Sequence, residues 1–263
     1  MKVLLIGDVV GKHGRGAVKK IVPELRKKYG IDFVAANAEN VAGGSGLTPD
    51  SVDELFDSQV DCLTSGDHIW KKKEIYERLD KDNRILRPAN FPGPCPGRGS
   101  VVIRSNTGIS VGVVSVLGRV FMKHIDCPFR AAEKEIKEMA EEVKIVLVDI
   151  HAEATSEKIA LARFLDGQVS VIFGTHTHVQ TADEKILAGG SAYITDLGMT
   201  GAGDSVIGRE SKVIIEHFLT CMPAKFAMAE NGIELQGAIV DIDEKTGNSV
   251  SIKRVKEKIE DYM

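Results

Sequence analysis

The chain alternates short apolar, β-rich runs with polar turns and helical segments, a rhythm that few architectures accommodate. It starts with "KVLLIG" (2–7), the helical "GAVKKIVPELRKKYG" (16–30) and "DFVAAN" (32–37). A second helix is announced by Thr48 as N-cap and Pro49 at the first helical position, with Val52, Leu55 and Phe56 as its apolar stripe. "VDCLTSG" then reads as a strand and "KKKEIYERL" as a helix. Strand and helix in alternation predict an α/β layer fold with a largely parallel sheet in the first half.

The segment "RPANFPGPCPGRG" (87–99) carries half of the eight prolines and reads as a loop or lid. "SVVIRSNTGISVGVVSV" predicts two antiparallel strands joined at "NTG". A helix from about Pro128 should present Phe129, Ala132, Ile136, Met139 and Val143 on one face. "KIVLVDIH" (144–151), a helix near Ser156 to Leu165 and "VSVIFG" (169–174) follow. From Ala182 on, "SAYITD", "KVIIEHFLT", "KFAMAE" and "IELQGAIVDID" read as β-rich, with few helix signals. The expectation is two facing sheets flanked by helices in one domain, 1–263.

At 263 residues, 43% hydrophobic and 27% charged, the chain can bury a sizeable core. A formal charge of −4 gives no electrostatic reason to expect tight binding to duplex nucleic acid or an anionic membrane. Cys62, Cys95, Cys127 and Cys221 form no C-x-x-C pair, which argues against a zinc knuckle or a disulfide framework. "MKVLLIG" is too short for a secretory core or a span, so a cytoplasmic protein is expected.

Metal-competent side chains recur just past the predicted strand ends: Asp8 after "LLIG", Glu39 and Asn40 after "VAAN", and Asp67 and His68 after "CLTSG". Asp149 and His151 end "VLVDIH", and His176 and His178 follow "VIFG". In open α/β sheets ligands bind beyond the carboxyl ends of strands, so five junctions can converge on one site. Each residue alone has a plainer reading as a turn, cap or buried strand-end group. The pair "HTH" is harder to dismiss, because residues two apart on an extended segment share a side and protonated imidazoles repel. Oxygen and nitrogen donors without thiolates suit iron, manganese or zinc in an open site. The set exceeds the needs of one ion. Two ions about 3.5–4 Å apart would use it as a clamp for phosphoryl chemistry. "GDVVGKHGRG" (7–16) departs from phosphate-loop spacing and "AGGSG" (42–46) from dinucleotide spacing, so their glycines are expected to serve sharp turns.

The motifs "GDVVG", "NAENVAGG", "GDHIW", "RPANFPG", "DIHAEATSEK" and "GTHTHVQTAD" together resemble the YmdB-like family of bacterial metal-dependent phosphodiesterases. The resemblance implies a metallophosphoesterase-like four-layer sandwich, two mixed β-sheets flanked by α-helices. It implies one metal held by Asp8, Glu39, Asn40 and His178, and a second by Glu39, Asp67, His151 and His176, with Glu39 bridging. It further implies two iron or manganese ions per subunit and hydrolysis of 2',3'-cyclic nucleotides to 3'-nucleotides. RNA-processing protein partners and a homo-oligomer are compatible with it, and a membrane role is not expected. The family commonly has Asn in "GNH" where this chain has Asp67, an anionic ligand that lowers the charge of the cluster.

The mechanism expected on this basis is attack on phosphorus by a metal-bridging hydroxide. His68 neighbours a proposed ligand without being needed in either shell, and is the candidate general acid. Its alternative is to orient Asp67. Asp149 could orient His151, Thr175 and Thr177 could satisfy turn backbone, and Arg98 could meet a phosphate or stay exposed. His13 could lie near the site, while His124 and His217 have no motif support. Rival functions are another phosphoesterase, either a nucleotide phosphomonoesterase or a 3',5'-cyclic phosphodiesterase, and a metal-binding regulatory or scaffold protein.

Overall fold

The computed structural model describes residues 1–259. Two mixed sheets face each other. The first runs in the order β2 (Asp8–Val9), β11 (Met199–Ala202), β12 (Ile233–Ile242), β1 (Lys2–Ile6), β3 (Phe33–Asn37) and β4 (Cys62–Thr64), with β13 (Ser249–Lys258) also on β12. The second runs β5 (Ser100–Arg104), β6 (Ser110–Leu117), β7 (Ile145–His151), β8 (Val171–Thr175), β10 (Ala192–Ile194) and β9 (Lys185–Ile186). β1, β3 and β4 are mutually parallel in that order, as are β6, β7, β8 and β10, whereas β5 and β6 form the expected antiparallel pair.

Strand periodicity explains the layers. Val3 and Leu5 of β1 point into the core between the sheets with Phe33, Leu147 and Phe173, while Leu4 and Ile6 point the other way. That outer face is covered by α1 (Gly11–Tyr29) and α2 (Pro49–Asp57) through Val18, Val22, Leu25, Val52 and Leu55. α4 (Pro128–Met139) and α5 (Thr155–Leu165) cover the second sheet through Ala132, Ile136, Met139, Leu161 and Leu165. The result is the expected four-layer α/β sandwich.

Thr48 caps α2 as predicted, accepting from the Ser51 N–H, with Pro49 next. α1 begins at Gly11 rather than near residue 16, so "GKHGRG" is helical and cannot form a phosphate-cradling loop. "KKKEIYERL" becomes a short 3-10 turn (Lys73–Ile75) and α3 (Tyr76–Lys81). The largest departure is "KVIIEHFLT", which forms α6 (Ser211–Thr220) instead of a strand. Its β-branched residues favour strands, but only Ile214 is buried there and the helix closes on a left-handed Cys221. "KFAMAE" forms no strand, and its Met228 makes an isolated bridge with Arg209. Among the described residues no helix is long and apolar enough to cross a membrane.

Candidate metal centre

The polar residues past β1, β3, β4, β7 and β8 meet at one edge of the sandwich. Asp8, Glu39, Asn40 and His151 are buried, while Asp67, His68, His176 and His178 are partly exposed. One donor atom each from Glu39, Asp67, His151 and His176 lies within 4.8 Å of the others. Beside them, Asp8 Oδ1 is 3.7 Å from His178 Nε2 and 4.0 Å from His151 Nδ1. Asn40 Nδ2 is 3.3 Å from both Glu39 Oε1 and His178 Nε2. All seven ligands expected from the sequence are therefore brought together, with His68 at their rim.

Each imidazole is oriented by its second nitrogen. His151 Nδ1 is 2.9 Å from Thr175 Oγ1, whose hydroxyl donates to Asp149 Oδ1 at 2.7 Å. His178 Nδ1 donates to the Ile207 carbonyl at 3.2 Å, and His176 Nε2 lies 3.2 Å from Glu153 Oε2. These contacts leave His151 Nε2, His176 Nδ1 and His178 Nε2 facing the cluster, the arrangement seen where histidines bind metals. Asp149 thus acts on His151 through Thr175. Thr177 donates from its backbone N–H and its hydroxyl to Asp196 Oδ2. The alternative for His68 is not what is observed: its Nδ1 lies 2.9 Å from Asn40 Oδ1 and 3.2 Å from Glu39 Oε1, so it rests on those two residues rather than on Asp67.

The "HTH" pair does not lie on an extended segment, contrary to expectation. His176 and His178 have φ of 98° and 63°, so the segment is a tight turn and not a continuation of the strand. The two rings diverge, His176 towards His151 and His178 towards Asp8. Left-handed backbone at two non-glycine residues is costly and persists where the surroundings enforce it.

The donor set fits divalent metal ions on two structural observations. Asp8 Oδ1 is buried without a hydrogen-bond partner, which costs free energy unless a cation meets it. His151 Nε2 and His176 Nδ1 face each other at 3.0 Å, a separation that needs a shared proton or a cation between them. Burial pulls the His151 imidazole down, but Glu39 and Asp8 outweigh it and lift its pKa to about 9. Burial and the His151 charge both push His176 down. Burial raises the Asp8 carboxyl, and burial also pushes Glu39 up but is overcome by His151 and His68, which hold it well below the usual carboxylate range.

Gly66 sets how closely β4 approaches. A Cβ there would enter the His151 ring and lie 2.5 Å from Glu39 Oε2. Gly66→Ala should weaken metal binding by at least about tenfold with the fold retained, because it moves two donors at once. Metal titration alongside circular dichroism reads this, and unchanged affinity would refute it.

The donors open onto a cleft of about 380 Å³ whose walls include Glu39, His68, His176, His178 and Arg209. A larger cleft of about 600 Å³ lies between the 87–99 loop and α4, away from the carboxylate and imidazole cluster. Arg98 is exposed, whereas Arg87 of the same loop is buried and donates to the Gly97 and Pro88 carbonyls. His124 is exposed and His217 Nδ1 contacts the Met222 carbonyl; His13 Nε2 lies 4.0 Å from Glu230. Sequence reading missed Glu153, Arg209, Lys158 and Asp196. Asp196, just past "SAYIT", and Glu153, as far past β7 as Glu39 is past β3, carry the strand-end signal, whereas Lys158 and Arg209 do not.

Known proteins resemble the chain along nearly its whole length. The chain is 45% identical over 255 residues to a Bacillus subtilis (strain 168) protein named 2',3'-cyclic-nucleotide 2'-phosphodiesterase, covering 97% of this chain and 96% of that one. A hypothetical protein from Thermus thermophilus superposes with a TM-score of 0.91 at 40% identity, covering 98% of this chain and 99% of that one. A crystal structure described as a novel phosphatase from Mycoplasma pneumoniae also gives 0.91, at 33% identity, covering 98% and 93%. A family model described as YmdB-like protein matches residues 4–255, which span all the strand-end donors, and the chain belongs to that family.

Proposed function

We propose that the protein is a metal-dependent phosphodiesterase that opens nucleoside 2',3'-cyclic phosphates at the 2' oxygen and leaves 3'-nucleotides. The observation that carries this reading is the meeting of Glu39, Asp67, His151 and His176 donor atoms within 4.8 Å, beside the unpartnered Asp8 Oδ1. The relative from Bacillus subtilis supplies the substrate class. One ion would be held by Asp8, Glu39, Asn40 and His178, and the other by Glu39, Asp67, His151 and His176. Two iron or manganese ions, when bound, acidify water and neutralise charge on a phosphoryl group. Residues 1–263 serve as one cytoplasmic domain in this reading, with residues 260–263 outside those described.

The chain's own groups do the rest. Glu39 reaches His151 Nε2 and His68 Nδ1, each at 3.2 Å from Oε1, and so lies centrally among the donors. Thr175, whose hydroxyl donates to Asp149, offers its oxygen to His151 Nδ1 and so favours the tautomer that keeps Nε2 available. His68 is anchored through Nδ1, and its side chain borders the cleft at 33% exposure. With Nδ1 held by Glu39 and Asn40, Nε2 is the nitrogen left to donate a proton to the departing ribose oxygen.

His68→Ala should lower turnover of 2',3'-cyclic AMP by about 10²–10⁴-fold while both metals stay bound. Metal analysis of the freshly purified protein, with ³¹P NMR of the product, tests cluster and regiochemistry together. A rate equal to the wild type sinks the role of His68 as acid, and co-loss of metal makes it a structural support of the site. Assaying 3',5'-cyclic AMP and AMP under the same metal condition separates this reaction from a 3',5'-cyclic phosphodiesterase or a phosphomonoesterase.

A further inference from the structure

Arg209 is the one lysine or arginine, among the described residues, that lines the 380 Å³ cleft. Its guanidinium is held by uncharged groups: Nη2 donates to the Gly44 carbonyl at 3.1 Å, and Nη1 to the Phe226 carbonyl at 3.4 Å and towards Met228 Sδ at 3.0 Å. Its backbone is pinned as well, by bridges to Val206 and Met228. Gly44, at φ +84°, makes room for it, since a Cβ there would sit 2.7 Å from Arg209 Nη2. A guanidinium has five N–H donors, and these contacts leave some of them unused, while among the described residues no carboxylate is paired with it. Fixing a long, charged side chain costs conformational entropy, which an anion that completes its partners would offset.

The position of Arg209 relative to the donors says which anion. His178 turns Nε2 towards Asp8 and Nδ1 towards the carbonyl of Ile207, two residues before Arg209. The 207–209 segment therefore lies behind the His178 ring as seen from the cluster. A phosphate held at the cluster meets carboxylates and imidazoles, and Arg209 waits at the outer wall of the same cleft.

We propose that Arg209 binds a second phosphate of the substrate, so that the preferred substrates are cyclic-phosphate ends carrying an additional phosphate. This rests on the phosphodiesterase reading above. The second phosphate can be a 5'-monoester on the same nucleoside or the diester that links a preceding nucleotide. Both present the anionic oxygens that a guanidinium engages.

The test has a binding arm and a turnover arm, both on manganese-loaded protein. In calorimetry, adenosine 3',5'-bisphosphate should bind about tenfold tighter than 3'-AMP, the scale of one charge-assisted hydrogen bond. Arg209→Met should erase that advantage and Arg209→Lys should keep part of it. In turnover, adenosine 2',3'-cyclic phosphate is compared with its 5'-phosphorylated form and with a dinucleotide ending in the cyclic phosphate. A preference in KM for either phosphorylated substrate, lost in Arg209→Met, is expected, and which one is preferred identifies the source of the phosphate. Equal binding of the two mononucleotides by the wild type, or an advantage that survives in Arg209→Met, overturns the proposal. Absence of turnover on all three substrates would instead count against the phosphodiesterase reading, and the binding arm still decides the role of Arg209.

Discussion

Lys158→Met should destabilise the protein by about 3–5 kcal/mol, the scale for removing one partner of a buried ion pair. Lys158 is fully buried on α5, with Nζ 2.7 Å from Asp196 Oδ2 and 2.8 Å from the Thr175 carbonyl. Gly174 clears a path for its stem, since a Cβ there would meet Lys158 Cδ at 2.8 Å. Asp196 in turn accepts from Thr177 through Oδ2 and from the Gly198 N–H through Oδ1. The ammonium therefore supports the turn that carries His176 and His178 at Thr175 directly and at Thr177 through Asp196. Methionine fills the same space but leaves the Asp196 carboxylate buried without its counter-charge. Adding Asp196→Asn to Lys158→Met should cost much less than the sum of the single changes, because the stranded charge is then gone. Urea denaturation of the single and double variants measures both effects. A loss below about 1 kcal/mol for Lys158→Met would show that the pair is dispensable.

Glu39→Gln should abolish metal retention and lower turnover by about 10³-fold, comparable with deleting a major electrostatic element of an active site. Glutamine keeps the shape and removes the charge. That charge lies 3.2 Å from His151 Nε2 and from His68 Nδ1, and Glu39 Oε2 accepts the His68 backbone N–H at 3.1 Å. Both proposed metal sites depend on it, so loss of one carboxylate charge should empty both. Atomic spectroscopy of the purified variant, read beside His68→Ala, distinguishes a ligand from a proton donor. Wild-type metal content with turnover within tenfold would exclude Glu39 as a bridging ligand.

What can be read from the sequence follows the physics of each element. Strands covered on both faces appear as unbroken apolar runs, so β1, β3, β7 and β8 are visible, and the donors just past them are visible for the same reason. α6 is hidden because its β-branched residues favour a strand and most of its apolar side chains remain exposed, with Ile215 at 53% and Phe218 at 74%. Lys158 is hidden because a buried lysine in "SEKIALARF" looks like any solvated helix position until Asp196 is placed beside it. "HTH" shows spacing and geometry parting company: the spacing singles out both residues, but a left-handed turn and not strand alternation aims them at the cluster.

The proposed donors divide by sheet. Every oxygen donor, Asp8, Glu39, Asn40 and Asp67, follows a strand of the first sheet, whereas every nitrogen donor, His151, His176 and His178, ends or follows a strand of the second. An ion bound by both kinds would be a rivet across the seam between the two slabs, beside their apolar contact and the buried bonds from Asn37 and Thr64 to Asp149. Metal content should then set the mechanical stiffness of the sandwich as well as its chemistry. Either slab by itself would offer a metal only half of a coordination shell.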